Sequence, residues 1–406
     1  MAIEIPTWLN ADYVKRILRL AEDDNTLQVT NVITKPATEK GDNYTSDMIR
    51  VTVEFVSNQG DKRATEKKSL LFKFEPIEEG MRKDLIAKIE LFDTEISALT
   101  DTMRKMNDML GLEYRLCAKV YHVRMEPPIC LVMEDLSTLG FRMANRQVGF
   151  DMDHTLLALR GLARLHAASV ALCEKEPKQK QRYNNGMFSY HYPEVMKNFM
   201  ITTLTALADE IETWPELGKT YADKFRTFVP YAYSKGVAAV KRNDKEFNVI
   251  NHGDAWVNNM MFRYDDNGKP IQHIFVDFQL CLYTSPAVDL NYFMAINLSD
   301  DVQQHKEELL EDYLHTLSSV MKKLGCKTSP PTLDELKRYM RERAMYELIS
   351  SLVMLPVMLV DKTEVLDIND MLKEKPTPNP GFKYPRFRKL APKRVMKYVE
   401  MGLLDP

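Results

Sequence analysis

Asn251-His252-Gly253-Asp254-Ala255-Trp256-Val257-Asn258-Asn259, followed by Phe275-Val276-Asp277-Phe278, is the stretch on which the reading of this chain turns. A carboxylate, an amide five residues later and a second carboxylate behind an apolar run form the layout of phosphoryl transfer. That chemistry needs a base beside an acceptor hydroxyl, and an amide with an acid to hold Mg²⁺ against the phosphates of ATP. Asp254 is the candidate base. Asn259 offers one carbonyl oxygen and Asp277 a carboxylate, hard donors suited to a small dication that keeps several waters.

Between these residues the chain reads as a hairpin. Met260 to Tyr264 is apolar enough for a strand, Asp265-Asp266-Asn267-Gly268 supplies turn residues, and Ile271 to Phe278 returns. Such a hairpin would bring Asp277 back beside Asn259. The competing reading makes His252-Gly253-Asp254 a mere bend before a hydrophobic hairpin, since Asp and Asn are turn formers.

The 406 residues, 45% hydrophobic, can bury a large core and suggest two or more structural units. With 55 basic and 58 acidic residues the net charge is −3, so no overall field would draw nucleic acid or an anionic membrane. Cys117, Cys130, Cys173, Cys281 and Cys326 are odd in number, widely spaced and free of a Cys-x-x-Cys pair, which points to a reduced compartment. The first thirty residues carry Glu4, Asp12 and Lys15 and lack an apolar signal core, so export is not expected. The most hydrophobic stretch, Leu348 to Val360, is short for a bilayer and interrupted by Pro356, and it reads as a buried helix with no transmembrane segment. No internal repeat or low-complexity tract occurs.

Asp12 to Ala21 reads as a short helix, and Val29 to Thr34 and Met48 to Phe55 as paired strands joined by Lys40-Gly41-Asp42-Asn43-Tyr44-Thr45-Ser46. That loop could lay backbone N–H groups and small hydroxyls over phosphate oxygens, or be an ordinary hairpin. Ser69 to Phe74 is a strand with one lysine, Lys73. Residues 84–106 carry the stripe Leu85, Ile89, Phe92, Ile96, Leu99 and Met103 of one helix, with Glu95 at its edge. Lys73 and Glu95 are a candidate ion pair; the alternative is a snorkelling lysine and a solvated glutamate.

Ile129 to Met133 is a fourth strand, and the chain beyond it is largely helical. Leu156, Leu159, Leu162, Ala163, Leu165 and His166 share helical spacing, as do Leu309, Leu310, Tyr313, Leu314, Leu317 and Met321. His166 reads as a hydrogen-bonded core histidine that braces the catalytic loop. Trp214, Phe225, Phe228, Tyr231 and Tyr233 could line an acceptor pocket but read rather as core residues, and the basic segment Lys383 to Lys397 could touch acidic lipid or substrate but reads rather as a solvated face.

His252-Gly253-Asp254, Trp256, Asn258-Asn259 and Val276-Asp277-Phe278-Gln279 resemble the ecdysteroid kinase-like (CHK kinase-like) family. That family is a branch of the aminoglycoside phosphotransferase and choline kinase group within the protein kinase-like superfamily. Pro6-Thr7-Trp8-Leu9, Gly41-Asp42-Asn43-Tyr44 with Ser46, Leu131 to Leu136 and Leu162 to Ala167 extend the resemblance nearly end to end.

The resemblance implies an α+β, bilobed protein kinase-like fold. Residues 1–134 would form a small antiparallel-sheet N-lobe, and residues 135–406 a large, mainly helical C-lobe. It implies ATP and Mg²⁺ as cofactors and Asp254, Asn259 and Asp277 as catalytic residues, the last two as metal ligands. Lys73 paired with Glu95, the loop residues Gly41, Asn43, Tyr44 and Ser46, the Glu134 carbonyl and the Leu136 N–H would bind the nucleotide. Asp289 matches a position that ties the catalytic loop through backbone hydrogen bonds.

The implied activity is a cytoplasmic small-molecule kinase acting on a hydroxyl of a lipophilic alcohol, an ecdysteroid or a related steroid or secondary metabolite, with no obligate protein partner and no nucleic acid. The alternatives are a choline- or ethanolamine-type kinase and a non-catalytic protein that sequesters a ligand on the same fold. Gln279 stands where protein kinases have Gly, Trp256 where aminoglycoside kinases often have His, and no Ala-Pro-Glu segment follows Asp277. These departures argue against a peptide substrate.

Overall fold

Alternating β-branched and aromatic residues build a five-stranded antiparallel sheet near the start of the chain. The computed structural model describes residues 5–38, 44–59, 62–112, 114–371 and 378–406. The chain divides into two compact units, Met1–Phe92 with Cys117–Arg142, and Asp93–Leu116 with Met143–Pro406.

In the first unit, helix α1 (Ala11–Glu22) is capped by Asn10, whose side chain accepts the Tyr13 N–H at 3.0 Å. Strands β1 (Gln28–Pro36), β2 (Asp47–Gln59) and β3 (Lys62–Phe74), helix α2 (Met81–Lys88) and strands β4 (Val120–Arg124) and β5 (Cys130–Glu134) follow, and the two-residue strand β6 (Arg142–Met143) falls at the boundary of the two units. The sheet order is β1-β2-β3-β5-β4. Val51, Val53, Leu70, Phe72, Phe74 and Val132 are buried on one face with Val14, Ile17 and Leu18 of α1. Each such side chain contributes roughly 1.5–3 kcal/mol on burial, so the alternation fixes both register and face. Strand β4 is an element the sequence pattern did not signal.

The second unit is mostly helical. Helices α3 (Leu91–Ser97) and α4 (Met103–Leu110) lead to the long α5 (Met152–Lys175), then α6 (Glu194–Glu212) and α7 (Gly218–Val240). Next come β7 (Val249–Asn251), the hairpin β8 (Met260–Tyr264) and β9 (Pro270–Phe275), and β10 (Leu282–Thr284), which pairs antiparallel with β7. Helices α8 (Ala287–Ile296), α9 (Lys306–Lys323), α10 (Leu333–Glu342), α11 (Ala344–Ile349), α12 (Leu355–Leu359), α13 (Ile368–Met371) and α14 (Pro385–Glu400) complete it. The architecture is α+β and bilobed, with a small sheet-based unit and a large helical one. Among the described residues α5 alone has the length and apolar composition to cross a membrane. Leu159, Leu162, Ala163 and Leu165 bury it in the protein core.

The single helix expected over 84–106 is broken. Helix α2 stops at Lys88, Glu90 takes a left-handed φ of 55°, and a π-helical turn at Ala98–Thr102 separates α3 from α4. Leu85, Phe92, Leu99 and Met103 are buried nonetheless. Each fragment buries its own part of the apolar stripe, so the periodicity passes over a one-residue kink without registering it. The apolar run 348–360 is buried as expected, as a π-helical turn at Ser350–Met354 followed by α12. Trp214, Phe225, Phe228 and Tyr233 lie in the core, whereas Tyr231 is exposed.

Asp135, just after β5, is the polar knot of the first unit. Its carboxylate accepts from Arg50 Nε at 2.7 Å, Ser69 Oγ at 2.6 Å and Ser137 Oγ at 2.7 Å, on strands β2 and β3 and the turn after β5. Burial pushes its pKa up, but these hydrogen bonds and the Arg50 charge outweigh that and hold it below the usual range. Replacing Asp135 with Ala removes the acceptor of donors on three residues, Arg50, Ser69 and Ser137, so we expect a loss of about 2–3 kcal/mol. In urea this would read as a lower midpoint at unchanged slope; an unshifted midpoint would show that the knot adds nothing net.

Candidate active site

The loop between β7 and β8 is built around one buried carboxylate. Asp289, in the first turn of α8 and fully buried, accepts the His252 N–H at 2.7 Å and the Gly253 N–H at 2.8 Å. His166 of α5 lies 3.1 Å from the same carboxylate through Nε2, and its Nδ1 lies 2.8 Å from the Tyr313 hydroxyl of α9. The carboxylate at one ring nitrogen and the hydroxyl at the other fix the orientation of the ring. His166 is the core brace the sequence suggested. Asn251 adds its own clamp, Oδ1 accepting the Asp289 N–H at 3.2 Å and Nδ2 donating to the Leu282 and Thr284 carbonyls, both at 3.2 Å.

Gly253 has φ +81°, and a Cβ there would lie 1.8 Å from the Leu280 carbonyl oxygen. Only glycine fits this close approach of the two loops. His252 spans the same gap, with Nε2 3.1 Å from the Val276 carbonyl and the Asp254 N–H 3.3 Å from its Nδ1. Burial lowers its pKa against the pull of Asp289 and Asp277, in keeping with a neutral ring.

These constraints deliver Asp254 at 9% exposure. Its Oδ1 accepts the Tyr292 hydroxyl at 2.6 Å, and its Oδ2 accepts Asn259 Nδ2 at 2.9 Å. The same Nδ2 donates to the Asp254 carbonyl at 2.9 Å. Both partners are acceptors, so the nitrogen of the amide must face Asp254, and its carbonyl oxygen is the end left to bind something else. Burial pushes the Asp254 pKa up to about 7, with the negative charge of Asp277 adding to the rise and the Tyr292 and Asn259 hydrogen bonds opposing it.

The hairpin behaves as the sequence implied. Met260 pairs with Phe275, and the Val276 N–H donates to the Asn259 carbonyl at 3.0 Å. Strand β9 stops at Phe275, short of the expected Phe278, and Asp277 takes a left-handed φ of 69°. A left-handed aspartate ends a strand because its backbone can no longer follow the pleat. Gln279 Nε2 donates to the Asp277 carboxylate at 3.2 Å, which gives the residue at the protein-kinase glycine position a holding role.

The residues assigned to the nucleotide fall mainly in the first unit. Lys73 is buried in β3 between Met48 of β2 and Leu131 of β5. Tyr44 and Ser46 precede β2, where Arg82 donates to the Tyr44 carbonyl at 2.9 Å and pairs with Asp47 at 3.0 Å. Glu134 ends β5, and Leu136 opens the 3₁₀ turn Leu136–Leu139 that Asp135 caps. Glu95 is buried on α3, in the second unit. Gly41 and Asn43 lie outside the described residues.

The sequence pattern gives no role to Tyr292 or Asn297, and none to Asn251 beyond its place at the start of the motif. Asn297, at the end of α8, donates to the Ala255 carbonyl at 2.7 Å. The available signal was helical spacing: Tyr292 follows Asp289 by three residues and so shares its face of α8.

Residues 40–326 match the model of the Ecdysteroid kinase-like family. Among solved structures, an ethanolamine kinase of Plasmodium vivax is 15% identical, with 93% of this chain and 89% of that chain covered and a TM-score of 0.41. A ternary complex of streptomycin, ATP and APH(2")-IIa is 12% identical, with 88% and 100% covered and a TM-score of 0.36. No curated protein matches the sequence.

A carboxyl whose folded pKa is raised to about 7 gives stability that is present below the ordinary 3.8 and lost as pH rises through 7. In metal-free protein, Asp254→Asn should therefore be more stable than wild type at pH 8, by an amount on the order of a few kcal/mol. The difference should shrink by pH 5. Thermal unfolding across that range measures it; an Asn variant that is equally destabilised at both pH values would contradict the desolvation account.

Proposed function

This chain belongs to the ecdysteroid kinase-like family, and from that membership and the surroundings of Asp254 we propose that it is an ATP- and Mg²⁺-dependent kinase of a small hydroxyl compound. The family indicates phosphotransferase chemistry in general. The finer reading is a lipophilic alcohol acceptor, an ecdysteroid or related steroid or secondary metabolite. The observation that carries the proposal is the Asp254 carboxylate, held on both oxygens by Tyr292 and Asn259 inside a loop nailed to Asp289. Five free cysteines, four of them buried, support a reducing compartment such as the cytoplasm.

The donor set fits Mg²⁺. Asn259 spends its amide nitrogen on Asp254 and keeps a carbonyl oxygen, and Asp277 supplies a carboxylate steadied by Gln279. Among the described residues no group of three or more His, Cys, Asp or Glu side chains could hold a metal alone. A site with two protein oxygens, completed by phosphate and water, suits an ion that sheds its waters reluctantly. When bound, the ion would neutralise charge building on the transferred phosphoryl group.

In this reading Asp254 accepts a hydrogen bond from the acceptor hydroxyl and aims its oxygen at the γ-phosphorus. Lys73 and the 41–46 loop position the phosphates, and the Glu134 carbonyl and Leu136 N–H hold the base. Orientation and charge neutralisation supply most of the acceleration.

The test is ATP consumption over a panel of steroids, amino alcohols and plant phenolics, with the phosphorylated product identified by mass. Turnover on the steroids is expected; turnover on amino alcohols alone would make it a choline- or ethanolamine-type kinase. ATP binding without turnover on any acceptor would make it a ligand-sequestering protein. Asp254→Asn should lower kcat by about 10²–10⁴-fold while ATP still binds, and lost ATP binding there would contradict the role. Asp277→Ala should instead weaken binding of Mg·ATP itself; an unchanged metal titration would remove Asp277 from the site.

A further inference from the structure

We propose that Tyr292 is a positioning residue that sets the orientation of the Asp254 carboxylate for phosphoryl transfer; the proposal rests on Asp254 being the base. The two oxygens of that carboxylate are gripped from separate elements, Oδ1 by the Tyr292 hydroxyl of α8 at 2.6 Å and Oδ2 by Asn259 Nδ2 at 2.9 Å. Turning the carboxylate about its Cβ–Cγ bond would break both hydrogen bonds. A buried phenol needs an acceptor, and here the acceptor is the group that must meet the substrate hydroxyl.

The grip is built into the scaffold. Tyr292 lies on the same face of α8 as Asp289, so the helix that holds the loop backbone also holds its reactive side chain. Tyr292 is itself 1% exposed and packs against the Tyr346 ring, with centroids 6.0 Å apart. Burial and the neighbouring Asp254 charge both keep the phenol protonated, so it acts as a donor and not as a second base. Charge-assisted hydrogen bonds of this kind are short and directional, which suits orientation.

Tyr292→Phe keeps the ring and removes only the hydroxyl. It is expected to lower kcat about 10–100-fold, the scale of a small misalignment of a reacting group, with KM for ATP and acceptor within about twofold. In an Asp254→Asn background the same substitution should have no further effect on kcat. Tyr346→Phe, which removes the neighbouring phenol at a 3.5 Å contact to the Gly253 carbonyl, should leave kcat within about threefold of wild type.

An unchanged kcat in Tyr292→Phe would overturn the proposal. So would a full additive loss in the Asp254→Asn background, or an equal loss in Tyr346→Phe, because either would mark a packing role. Full activity of Asp254→Asn alone is a different failure: it would remove Asp254 as the base, and the proposed function with it.

Discussion

The buried carboxylate of Asp289 is the constraint on which the rest of the site depends. An ionised group with no solvent is costly unless each oxygen is hydrogen-bonded. Asp289 meets that condition with the His252 and Gly253 N–H groups and the His166 ring. The loop backbone therefore has one position in which the charge is satisfied. Through His166 and Tyr313 the same carboxylate links α5, α8 and α9, so movement of any of these helices would strand a donor or an acceptor.

What this rigidity delivers is an acid in an unfavourable place. Asp254 is nearly inaccessible, close enough to the Asp277 charge to feel it, and pushed up to about 7 by burial. A sequence selected for stability alone would place an amide or an apolar side chain there. Local penalties of this kind concentrate at functional sites and are offset by the surrounding scaffold. The left-handed backbone at Asp277 is a second instance, since a non-glycine residue in that region is held there by its neighbours.

The parts of this arrangement that could be read in advance are those carried by local chemistry. The β8–β9 hairpin was legible because turn residues at Asp265 to Gly268 sit between two apolar runs, although the register slips by one residue between Arg263 and Tyr264, which the turn does not announce. His166 was legible as a brace because a histidine on an apolar helix face must find partners. Tyr292 was not, because its meaning depends on which loop packs over α8, and the nearest hint was its three-residue offset from Asp289. The break at Glu90 was invisible for a related reason: each fragment buries its own share of one stripe, so the pattern is the same with or without the kink. The end of β9 at Phe275 was missed because residues 276–278 are apolar enough for a strand apart from Asp277, and that residue is the one that turns away.

The account is tested most directly by a crystal structure with Mn²⁺ and a non-hydrolysable ATP analogue, where the anomalous signal locates the metal. The expected result is a peak about 2.2 Å from both the Asn259 carbonyl oxygen and an Asp277 carboxylate oxygen, with Asp254 outside the coordination sphere. A metal held without Asn259 and Asp277, or one ligated by Asp254 in their place, would contradict it.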